Sequence, residues 1–118
     1  NLHNWLARDT MKATMLEAFN ALKSGGFFGV VEHRAPEGSS MEYMTTSGYV
    51  SQSLAIEVAE SVGFTLVETS EINANLKDTK DHPKGVWTLP PSYRLKDENR
   101  SKYEAMGESD RMTLLFMK

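Results

Sequence analysis

Leu22-Lys23-Ser24-Gly25-Gly26-Phe27-Phe28-Gly29-Val30-Val31-Glu32-His33 is the stretch on which the fold turns, because its double glycine separates two segments of different period. Upstream, Met11, Met15, Ala18, Phe19 and Leu22 recur at spacings of three and four, which places them on one face of a helix over Asp9 to Lys23. Asp9 or Thr10 is expected to cap its start with a side-chain oxygen, and Gly25 to end it in the left-handed conformation. Downstream, Phe27 to His33 is a nearly continuous apolar run. It reads as a strand buried on both faces, the habit of parallel sheets. On that reading Val31→Asp would set a charge between the sheet and its helices, and the variant would not fold.

The pattern then repeats. Arg34 to Gly48, with Pro36, Gly38, Ser39 and Ser40, reads as a loop. Ser51 caps a second helix whose stripe is Leu54, Ala55, Val58, Ala59 and Val62, ending at Gly63. Phe64 to Ile72 follows as a strand on its β-branched and aromatic content, so two strands flank a helix-sized crossover, with right-handed parallel connection as the default. Asn73 to Asp110 has no sustained period. Pro83, Gly85, Pro90 and Pro91 interrupt it, while Val86, Trp87, Leu89, Tyr93 and Leu95 can anchor it, so it reads as an ordered excursion with a short helix around Ser101 to Met106. Arg111 to Lys118 is too apolar for a solvated tail and is expected to enter the sheet.

The 118 residues fall within the single-domain range, and 40% hydrophobic with 25% charged residues is a globular composition. A net charge of −3 has the wrong sign for a chain held mainly by phosphates, and the excursion with its flanks, Glu71 to Arg111, carries eight basic and eight acidic residues, so nucleic acid is not an expected partner. The absence of cysteine excludes disulfides and thiolate chemistry and fits a reducing, cytoplasmic setting. No apolar run is long enough for a membrane span. A G-x-S-x-G elbow, the mark of one large class of serine hydrolases, does not occur.

The helix ending in Gly25-Gly26, the strand Phe27 to His33, the helix ending in Ser61-Val62-Gly63-Phe64 and the strand to Ile72 resemble the C-terminal half of class I S-adenosylmethionine-dependent methyltransferases. More narrowly, Asn1-Leu2-His3-Asn4-Trp5, Glu32-His33-Arg34-Ala35-Pro36, Ile72-Asn73-Ala74-Asn75 and Asp81-His82-Pro83-Lys84-Gly85-Val86-Trp87-Thr88-Leu89-Pro90-Pro91 are similar to a bacterial group of predicted methyltransferases of unassigned substrate. The resemblance implies an α/β fold: part of a Rossmann-like sheet in the order 5-7-6, its last strand (Arg111 to Lys118) antiparallel, with two main helices. The family holds its cofactor largely with a glycine-rich turn after the first strand and an acidic residue after the second. Neither occurs in this sequence, and Ser24-Gly25-Gly26 follows a helix rather than a strand. The expectation is therefore a methyltransferase-like half-domain over 1–118, incomplete or inactive by itself. S-adenosylmethionine is the implied cofactor, or none for this chain alone. The alternatives are a half-enzyme completed by a partner chain and a non-catalytic interaction module.

By the same resemblance Asn1 to Trp5 and Glu32 to Arg34 lie at the carboxyl edge of the sheet, where α/β ligands bind. His3, Asn4, Trp5, His33 and Arg34 are the candidate contacts to a small-molecule substrate, expected to converge at one edge, and Asn1 and Leu2 are the candidate cofactor contacts. His82 and Trp87 either close over the substrate or anchor the excursion. A metal held by His3, His33 and His82 is not expected, since none of them has the spacing of a helical pair. With no fourth strand beside Phe27 to His33, an open edge predicts a homodimer or a complementing N-terminal half.

Overall fold

The stripe of Met11 and Met15 forms α2 (Met11–Ala21), but a helix also precedes it, α1 (Leu2–Ala7). The computed structural model describes residues 1–118. After α2 come β1 (Phe27–Ala35), α3 (Met41–Ser47), β2 (Val50–Ser51), α4 (Gln52–Ser61), β3 (Thr65–Ser70), a 3₁₀ turn (Gly85–Thr88), α5 (Arg100–Met106) and β4 (Arg111–Met117). Ser51 caps α4 as its residue type predicts, accepting from the Leu54 N–H. No side chain caps α2, and its chain leaves in an extended conformation at Leu22, so left-handed Gly25 serves the turn into β1 rather than the helix end. The segment read as loop contains α3, closed by Ser40 accepting from the Tyr43 N–H and by left-handed Gly48.

The four strands lie in the order β2-β1-β4-β3. β4 is antiparallel to both long neighbours, pairing Phe27 with Met117 through His33 with Arg111 on one side and Thr65 to Ser70 on the other. β1 and β3 therefore run parallel but are not adjacent. β2 is parallel to β1 and pairs only with Arg34 and Ala35, leaving Phe27 to His33 with a single neighbouring strand.

Strand alternation explains what is buried. Val30, Leu114, Phe116 and Met112 face the helices and join Leu2, Met11, Met15, Ala55, Ala59 and Phe64 in one core. Each large side chain removed from water there contributes about 1.5–3 kcal/mol. The residues between them, Phe27, Gly29 and Val31 of β1 opposite Met117, Leu115 and Thr113, turn to the other face. That face is open: Phe27 is 59% and Val31 50% exposed, and Val67 of β3 is 47% exposed. The expectation that Phe27 to His33 is buried on both faces is thus corrected, because no helix covers the second face. No helix of the chain is long and apolar enough to cross a membrane.

The excursion is ordered by a buried carboxylate. Asp78 accepts from the Tyr49 hydroxyl at 2.8 Å, the Lys80 N–H at 2.9 Å and the Asp110 N–H at 2.9 Å, and its Oδ1 lies 2.8 Å from His82 Nε2. Gly85 then lies so close to the end of α3 that a Cβ would sit 2.1 Å from the Ser47 carbonyl oxygen. None of the excursion's hydrogen bonds reaches Phe27 to Glu32.

Candidate functional site

At the carboxyl end of β1 the alternation parts neighbours: Glu32 lies opposite Met112 on the helix face and His33 opposite Arg111 on the other. α1 brings His3 to Glu32. The first amides of a helix lack intrahelical partners, and the His3 N–H donates to Glu32 Oε1, so the carboxylate stands at the positive end of α1. The His3 ring adds Nδ1 at 2.7 Å from the same oxygen, and the His33 N–H donates to Oε2 at 3.1 Å. Burial alone would raise the Glu32 carboxyl, but the His3 contacts outweigh it and hold it below its ordinary value. A carboxylate only 3% exposed thus stays ionised.

The His33 ring packs 5.3 Å from that of His3 and edge-on to Tyr49, and its Nδ1 lies 2.5 Å from Ser109 Oγ. Burial lowers its pKa to about 4 against an opposing pull from Glu32, so the ring is neutral at pH 7. Beyond it is a cavity of about 220 Å³, lined by His33, Val86, Trp87, Pro90, Pro91, Ser92, Ser109 and Arg111. Trp87 also meets His3 edge-on, with ring centroids 6.1 Å apart. The arrangement offers a carboxylate-oriented imidazole at His3, a neutral imidazole at His33 and, beside an indole wall, Arg111, whose guanidinium is paired with Glu108 at 3.0 Å. Such a set can orient a small molecule and accept a proton from it.

The sequence candidates divide. His3 and His33 come together, and Trp87 walls the cavity. Trp5 does not line it but packs half-buried against the main core. Asn4 is exposed, with only a long side-chain contact to Asn1. Arg34 is spent on structure: its guanidinium binds Asp110 at 3.0 and 3.1 Å, Glu71 at 2.7 and 3.0 Å, and Gln52 at 3.1 Å. These partners raise its pKa further, Glu71 contributing most. Of Trp5, His33 and Arg34, therefore, only His33 lines the cavity. His82, its side chain 3% exposed on Asp78, is an anchor and not a lid. Ser109 and Arg111 are site residues that the sequence reading missed.

The candidate cofactor contacts and the glycine turn are committed to the fold. The Leu2 side chain is 4% exposed within the core, and the Asn1 carbonyl is taken by the Asn4 and Trp5 amides. The Gly25 N–H donates to the Lys118 carbonyl and the Gly26 carbonyl accepts from the Lys118 N–H, so this glycine turn is committed to the end of β4. Comparison with protein-family models, with curated proteins and with solved structures gave no match.

Proposed function

We propose that the chain is the acceptor side of an S-adenosylmethionine-dependent methyltransferase and seats a small molecule in the cavity beyond β1. One observation carries the reading: His33, Trp87, Ser109 and Arg111 converge on a single cavity at the carboxyl end of β1. The placement of β4, antiparallel between β1 and β3, agrees with the sheet that the family resemblance implies. Methyl transfer asks chiefly for alignment of acceptor and donor, with a base only where the acceptor must lose a proton. Trp87 and Arg111 supply the orientation and the neutral His33 ring the base. The cofactor is held outside these residues, by a complementing N-terminal half docked on the open edge of β1.

Calorimetric titration of the 118-residue chain with S-adenosylmethionine tests this division of labour. No saturable binding is expected at micromolar cofactor. Saturable binding there would overturn the reading that this chain carries the acceptor side alone. A second reading, a non-catalytic interaction module, is favoured by the open sheet face with Phe27, Val31 and Val67 exposed.

A further inference from the structure

Apart from any methyl transfer, the three side chains that meet where α1 reaches β1 have a donor set of their own. His3, Glu32 and His33 each offer one ligand atom, and these atoms lie within 4.8 Å of one another. Ligand bonds of about 2.0–2.2 Å to a tetrahedral ion require donors somewhat closer together than that outer limit. Binding an ion therefore requires the three side chains to close around it.

We infer that His3, Glu32 and His33 form a binding site for a divalent transition-metal ion of the zinc type. Two imidazoles and one carboxylate are the donors that such ions prefer, whereas magnesium and calcium favour all-oxygen sets. Three protein ligands leave a further position for water or a small ligand, the arrangement of reactive zinc centres rather than structural ones. His33 lines the cavity, so that position is reachable.

The surroundings are those of a held site. Glu32 is fixed by two backbone donors, the N–H groups of His3 and His33. Ser109 Oγ holds His33 by Nδ1, which leaves Nε2 as the ring's free nitrogen. Hydrogen bonds of this kind to a ligand ring fix its orientation and raise affinity. His3 Nδ1 and Glu32 Oε1, now 2.7 Å apart, separate slightly to admit the ion, and His3 then carries its ring proton on Nε2.

The test is titration of the chain with Zn²⁺ alone, followed by calorimetry and by the ring signals of all three histidines in NMR spectra. One-to-one saturation is expected, with the His3 and His33 rings shifted and the His82 ring unmoved. His33→Ala should weaken binding by at least about tenfold. Absence of saturation, shifts centred on His82, or His3 and His33 signals that do not move would mean an adventitious ion only and overturn the inference. So would unchanged affinity in a folded His33→Ala chain. Should that variant fail to fold, the wild-type ring shifts decide. Saturable cofactor binding in the preceding experiment, which would overturn the proposed function, leaves this result unaffected, so failure of one is distinguishable from failure of the other.

Discussion

Asp placed at Val30 and at Val31, adjacent in one strand, should have opposite consequences. Val30 is 3% exposed among Leu114, Met15 and Phe116, and Val31 is 50% exposed on the uncovered face. Val30→Asp loses about 1.5–3 kcal/mol of apolar burial. It also leaves an unpaired charge in the core, at about 3–5 kcal/mol. Together these match or exceed the lower part of the usual total stability of about 5–15 kcal/mol. Val31→Asp forfeits at most half of a valine's burial, about 1 kcal/mol. Weaker strand preference adds up to about 1 kcal/mol. Urea unfolding followed by far-ultraviolet circular dichroism separates the cases: Val31→Asp should give a cooperative transition at a modestly lower midpoint, Val30→Asp none. If both variants unfold alike, or Val30→Asp keeps the wild-type midpoint, the one-sided sheet is wrong.

Acid should destabilise the fold in two windows. His33 binds its proton at about 4 when folded against 6.5 ordinarily, so the unfolded chain takes up the proton first and stability falls as pH drops from about 6.5 to 4. Burial would raise Asp110, but Arg34, Lys80 and the Asn75 N–H hold it at about 2, so its contribution is present above its ordinary 3.8 and is lost between there and about 2. Unfolding midpoints measured across pH 2 to 7 check both, on the order of the pKa values just cited; a flat profile contradicts them. Gly85→Ala should cost more than about 3 kcal/mol, since its Cβ would meet Ser47 backbone at 2.1 Å with φ at +57°, whereas Gly25→Ala, with nothing within 4 Å, should cost about 1 kcal/mol from φ strain alone. Equal melting shifts for the two would refute the close docking of the excursion on α3. Sedimentation equilibrium should show a dimer of the isolated chain through the free edge of β1, and a folded monomer at high micromolar concentration would mean that the edge is already covered.

Much of this was legible because local chemistry and tertiary structure agree. The stripe Leu54, Ala55, Val58, Ala59 and Val62 with Ser51 before it defines α4, and the apolar end of the chain enters the sheet as β4. Phe27 to His33 misled because a uniformly apolar run hides the alternation that decides its faces. Loop-forming Pro36 and Gly38 stand directly before the cap signals of Ser40 and Gly48, and α1, at six residues, is too short to show a period. At the site, His3 and His33 could be singled out, but not the carboxylate that joins them, since only the fold sets Glu32 at the start of α1. Ser109 lies 76 residues from His33, and nothing in its neighbourhood marks it. Arg34 could not be set aside from sequence, since its partners Glu71 and Asp110 lie 37 and 76 residues away.

Whether function resides at the carboxyl end of β1 or on the open sheet face is decided by mapping small-molecule binding on the folded chain. A library of small aromatic and carboxylate fragments, read by NMR shifts of amide and indole signals, is the measurement. Binding should concentrate its shifts on the Trp87 indole and the Ser109 and Arg111 amides, with the His33 ring following. Fragments that instead gather on Val31, Thr69 and Leu115, leaving Trp87 and Ser109 unmoved, would contradict the account and move the functional surface to the face that the helices leave bare.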